Sequence, residues 1–157
     1  MRRRGAGIIK FELAGTVREA EAIMDAWGTT GRSAARASLL LDYLYLATYG
    51  PLLASACEVA GERLSARGIH ALGRVRRPVA RMQLAAALLD AVENTVLLGV
   101  LAGRRGRWPM IARTSALGKF ALLSVGGLYI VGGVGALRTP TPTATDPVCG
   151  DLVARVP

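Results

Sequence analysis

The chain has 157 residues, enough for one domain, with 52% hydrophobic residues, a mean hydropathy of +0.35 and only 5% aromatics. An apolar mass of Leu, Ala, Val and Ile with 19 glycines argues against a soluble domain built on an aromatic core and fits close-packed membrane helices. The net charge of +9 would point to nucleic acid in a soluble chain, but the arginines cluster between apolar runs, at 63–81 and again at 104–113, as in membrane-protein loops facing anionic headgroups; no nucleic-acid partner is expected.

The first residues, MRRRGAGIIKFELAG, begin like a signal peptide, but Lys10 and Glu12 interrupt the apolar stretch before a cleavable core can form. Residues 8–27 read as one amphipathic helix. Ile9, Leu13, Val17, Ala20, Met24 and Trp27 share a face at spacings of three and four, and Gly28 follows as a C-terminal cap. Lys10 and Arg18 stand against Glu12, Glu19, Glu21 and Asp25, so this helix is net acidic. It is expected to pack on the chain's own basic loops rather than on anionic lipid.

A second helix starts at Thr29 or Thr30 and becomes apolar from 37 to 57, the length that crosses roughly 30 Å of hydrocarbon. Gly50-Pro51 is expected to kink it. A polar, arginine-rich connector, with room for a short surface helix, covers 58–81 and a second span covers 82–102. A basic loop over 103–116 contains Trp108-Pro109 as an interface anchor, and a glycine-rich third span covers 117–137. The Pro/Thr-rich tail, 138–157, reads as disordered. The fold class expected is therefore an all-α membrane bundle of one amphipathic helix and three spans. A soluble helical bundle is the alternative, and it would need a helix after Phe120 with no hydrophilic face. The Lys and Arg balance favours an N-terminus on the inside of the cell membrane.

The second span is AALLDAVENTVLLG through its centre. Asp90, Glu93 and Asn94 fall within about 3 Å of the midplane at 1.5 Å rise per residue. On a helical wheel Asp90 and Asn94 are about 40° apart, and Glu93 is about 60° from Asp90. All three can face one interior. An acid at that depth costs roughly 2.5–3.5 kcal/mol on insertion scales, so one or both are expected to be protonated, to share a proton, or to meet a cation. With Lys119 read as lying at the end of the third span, no basic partner is expected. The predicted companions are Asp42, Tyr45 and Tyr49 from the first span and Tyr129 from the third, with Tyr45 at the depth of Asn94 and Tyr129 at that of Asp90. Small residues at 87, 91, 95, 99 and 103, and at Gly126 and Gly133, read as helix-packing surfaces. Cys57 and Cys149 form no metal motif or disulfide framework, and His70 stands alone as a surface residue. No cofactor or metal is expected.

FELAG at 11–15, Trp27-Gly28, the LDYLYLATYG stretch at 41–50, LLDAVEN at 88–94 and the later Lys119 occur in an order that resembles an uncharacterised family of small bacterial multi-span membrane proteins. That resemblance implies an integral membrane protein and supplies no activity. From the residues, the leading expectation is an acidic intramembrane site at Asp90, Glu93, Asn94 and Asp42. It would bind or move a proton, a cation or a cationic amphiphile, with the lipid bilayer and a second copy or membrane subunit as partners. The rival is a structural or accessory subunit whose polar residues only fix helix packing. A lipid-modifying enzyme is third, since paired carboxylates can do acid–base work, but there is no nucleophile–base pair or phosphate-binding glycine loop and no catalytic residue is assigned.

Overall fold

The computed structural model describes residues 7–135, and every regular element among them is helical: α1 (Ile8–Glu12), α2 (Val17–Ala66), α3 (His70–Arg74), α4 (Arg76–Leu101) and α5 (Trp108–Gly135). The tail at 138–157, with Cys149, and the last two residues of the expected third span lie outside the described residues.

The amphipathic stretch 8–27 is not one helix. It breaks between α1 and α2, over residues 13–16. The cause is local. Thr16 Oγ1 accepts from the Glu19 backbone N–H at 3.2 Å, and Glu19 Oε2 accepts from the Gly15 N–H at 3.0 Å. This reciprocal arrangement is a close variant of the capping box and restarts the helix at Val17. A second break falls at Gly28, whose φ of 62° and ψ of −166° are open essentially to glycine alone. Arg32 bridges that break. Its Nε donates to the Met24 carbonyl at 2.9 Å, and its Nη2 pairs with Asp25 at 2.6 Å. The backbone around Gly50-Pro51 keeps helical dihedrals, so the expected kink is no interruption of α2 there.

Helix also replaces much of what the sequence assigns to connectors. α2 continues to Ala66 because Ala60, Gly61 and Leu64 form a buried stripe along it. α5 starts at Trp108 rather than 117. Pro109 is tolerated in the first turn, where backbone N–H groups lack helical partners. Ala112, Ser115, Ala116 and Lys119 then continue the buried face.

α4 is the middle helix. Gly50 faces Ala87 and Gly61 faces Arg76, so α2 and α4 run antiparallel. Gly99 faces Trp108, Gly118 faces Leu89 and Gly126 faces Gln83, so α4 and α5 are antiparallel too. α2 and α5 are consequently parallel, and Gly133 seats against Ala60. A small residue stands at each close approach, which lets the backbones come together. One apolar cluster joins Phe11, Met24, Leu39, Leu97 and Val100 with Ala112, and Trp27 and Trp108 pack against it. A second joins Cys57, Val79 and Ala80, with Tyr129 and Ile130 alongside. The charged residues lie between these clusters.

Two helices, α4 and α5, are long and apolar enough to cross a membrane. The stretch 37–57 of α2 is helical but is not one of them; Asp42, three tyrosines and Pro51 dilute its apolar character. Only 17% of the most apolar part of α5 is buried, and 39% of that of α4. Leu88, Leu128 and Val131 are about as exposed as surface residues, at 69%, 76% and 69%. Gln83, Asp90, Glu93, Asn94 and Lys119 are buried instead.

Candidate functional site

Lys119 on α5 reaches into the acidic face of α4. Its Nζ donates to Asp90 Oδ1 at 2.6 Å and lies 2.8 Å from Glu93 Oε2. Tyr49 on α2 donates its hydroxyl to the other Asp90 oxygen at 2.9 Å. Asp90 therefore has a cation on one oxygen and a phenol on the other. Glu93 is 0% exposed, and neither of its oxygens has a hydrogen-bond partner in good geometry among the described residues. Its contact with Lys119 is an ion pair off the line of a hydrogen bond.

One turn further along α4, Asn94 Nδ2 donates to Asp42 Oδ2 at 2.6 Å. Asp90 and Asn94 thus face α2 at two levels, as their 40° separation on the wheel requires. Tyr43, beside Asp42 on α2, shares a hydrogen bond of 2.6 Å with Thr95. The network extends from here to a cleft of about 330 Å³ lined by Glu12, Asp42, Tyr45, Asp90, Asn94 and Lys119, among others. α1 brings Glu12 to the wall of this cleft because Phe11, buried at 1% exposure, anchors the short helix. Burial pushes the Glu12 carboxyl above the usual glutamate range; Lys119 opposes this, and Asp90 and Asp42 add to it.

The structure brings Asp90, Glu93, Asn94, Asp42 and Tyr49 together. Tyr45 lines the cleft, exposed, with its ring 5.0 Å from that of Tyr49. Tyr129 is elsewhere: its hydroxyl donates to the Leu72 carbonyl at 2.7 Å, beside α3. Two expectations are corrected here: the cluster has a basic partner, and Tyr129 does not belong to it. One cause explains both. Starting α5 at Trp108 instead of 117 slides the helix centre toward its N-terminal half. Lys119 then sits within about 4 Å of mid-helix at 1.5 Å per residue, and Tyr129 moves toward the far end.

Glu12 is the second residue that the sequence did not bring to the site. A signal for Lys119 was present nonetheless. Ala112, Ala116, Lys119, Gly126 and Gly133 fall on one small-residue stripe, so a helix drawn through 108–116 would have turned the lysine inward.

The arrangement can hold charge in three ways. Lys119 and Asp90 make a tight, doubly supported pair. Asp42, Asp90 and Glu12 give the cleft an acidic wall. Glu93 is a sealed carboxyl with one contact to a cation. Compared with family models, curated proteins and solved structures, the chain matches none.

Proposed function

We propose that this chain is an integral membrane protein with a charged intramembrane site that takes up a proton or a small cation. The observation that carries the reading is a reversed distribution of polarity along the apolar parts of α4 and α5: Gln83, Asp90, Glu93, Asn94 and Lys119 are buried, and Leu88, Leu128 and Val131 are exposed. Water rewards the opposite arrangement; a hydrocarbon solvent rewards this one. In this reading the stretch 37–57 of α2 is a third span, with Leu40, Leu41, Leu44 and Leu52 toward lipid. The N-terminus lies inside, on the balance of Lys and Arg, and the chain belongs to the small bacterial membrane proteins that its FELAG and LDxxEN segments resemble.

Support for the site comes from charge and space. Three acids, Glu12, Asp42 and Asp90, line the cleft with a single lysine, and that lysine is shared with Glu93. A cation entering beside Asp42 balances the excess. The test has two stages. Membranes from producing cells are washed at alkaline pH, and the protein is expected to stay in the pellet. Purified protein is then reconstituted into liposomes carrying a pH-sensitive dye or a potassium-sensitive dye. Flux that falls in Asp42→Asn supports the site, and absence of any flux removes the transport reading.

The second reading is a structural or accessory subunit, and a specific observation favours it. Lys119 already pairs with two of the carboxylates, so the network can serve to fix helix register without a ligand. Copurification with a fixed membrane partner in mild detergent is its expected sign.

A further inference from the structure

Glu93 differs from every other acid in the cluster. Asp90 has Lys119 and Tyr49, Asp42 has Asn94, and Glu12 borders the cleft. Glu93 is fully buried, Oε1 has no partner among the described residues, and the residue does not line the cleft. A metal ion or an organic cation has no room to reach it. A proton needs only a chain of exchangeable groups, and one group supplies that chain: Lys119 lines the cleft and its Nζ lies 2.8 Å from Glu93 Oε2.

The charge count points the same way. Asp90 and Glu93 face a single ammonium from α5. From α2 only a neutral phenol, Tyr49, reaches this pair, and the remaining nearby groups, Asp42 on α2 and Glu12 on α1, are acids. Two carboxylates against one cation leave an uncompensated charge in a medium that penalises it heavily. A proton on the carboxyl with fewer donors removes that charge. Asp90 accepts from two donors, Lys119 and Tyr49; Glu93, with none in good geometry, is the one to carry the hydrogen.

We propose that Glu93 is a proton-storing site loaded from the cleft through Lys119. In loading, the Lys119 ammonium turns to aim an N–H at Glu93 Oε2, 2.8 Å away; that N–H bond breaks and an O–H bond forms on Oε2. The neutral amine then takes a proton from hydronium at the cleft, which restores the ammonium and leaves water. Unloading is the reverse. The net change is one proton moved from the cleft to Glu93, with no redox step. The proposal deepens the membrane-site reading and depends on burial of the cluster; it does not require net transport.

The experiment is infrared spectroscopy of the purified protein in lipid, with the carboxylic-acid C=O stretch followed against pH. The wild type is expected to show a protonated-carboxyl band at neutral pH that disappears in Glu93→Gln and survives in Asp42→Asn. In Lys119→Met the band is expected to persist to higher pH, because the counter-charge that favours ionisation is gone. If Glu93→Gln fails to fold, wild-type protein with carbon-13 in the glutamate side-chain carboxyls replaces it, and the neutral-pH band should shift with labelled glutamate and stay put with labelled aspartate. No such band in the wild type, or a band that follows aspartate, overturns the proposal. Release of the protein by alkaline wash would overturn the membrane reading instead, so the two failures are separable.

Discussion

Lys119 Nζ stands 2.6 Å from Asp90 Oδ1, linking α5 to α4 through side chains that are each 9% exposed. That contact, with Glu93 and Tyr49 on either side of it, joins side chains of the three long helices. It places the only ammonium of the cluster among the described residues against two carboxylates.

Removing one member of a buried pair should cost far more than removing all of it. Lys119→Met leaves Asp90 without its cation and is expected to lose about 3–5 kcal/mol. Lys119→Met combined with Asp90→Asn and Glu93→Gln should recover most of that loss. Denaturant titration in mixed micelles measures both. Equal losses in the single and triple variants would show that packing, not charge, holds α5 to α4.

The two tyrosine hydroxyls on α2 should separate in value. Tyr49 donates to a buried carboxylate, and Tyr49→Phe is expected to cost about 1.5–3 kcal/mol. Tyr43 bonds a neutral hydroxyl on an exposed face, and Tyr43→Phe is expected to cost about 0.5–1.5 kcal/mol. The same titration ranks them.

Glycines on α5 should split by face. A Cβ at Gly133 would stand 2.5 Å from Ala60 Cβ and 2.8 Å from its Cα, and neither atom can rotate away. Gly133→Ala is expected to destabilise by about 1–3 kcal/mol. A Cβ at Gly127 meets nothing within 4 Å, so Gly127→Ala should be neutral or stabilise by up to about 1 kcal/mol from helix propensity. Opposite signs in a stability assay check the packing of α5 against α2.

Docking of α1 should weaken as pH rises. The Glu12 carboxyl is raised above the ordinary glutamate range, chiefly by burial, so the folded state holds its proton more tightly than the unfolded one. The stabilisation is complete below the ordinary glutamate range and is lost as pH climbs through the raised value. Hydrogen-exchange protection of the α1 amides, corrected for intrinsic rates, is expected to fall across that window. Glu12→Gln should flatten the dependence.

The sequence by itself determined the helical class and the acidic face. A run of Leu, Ala, Val and Gly with no strand signals fixes helices, and the spacing of Asp90, Glu93 and Asn94 places them on one side whatever lies opposite. Asp42 and Tyr49 also lay within reach of sequence reasoning, because they recur at helical spacing on the first apolar run. Helix ends were harder to see. The break at residues 13–16 depends on a side chain reaching back to a backbone N–H, and the start of α5 depends on a basic stretch being helical. Only the tertiary structure decided what neutralises the acids. The register of α5 against α4, set by Trp108 on Gly99 and Gln83 on Gly126, determines whether Lys119 meets lipid or carboxylate. That register is a property of two packed surfaces, and a single helix does not contain it.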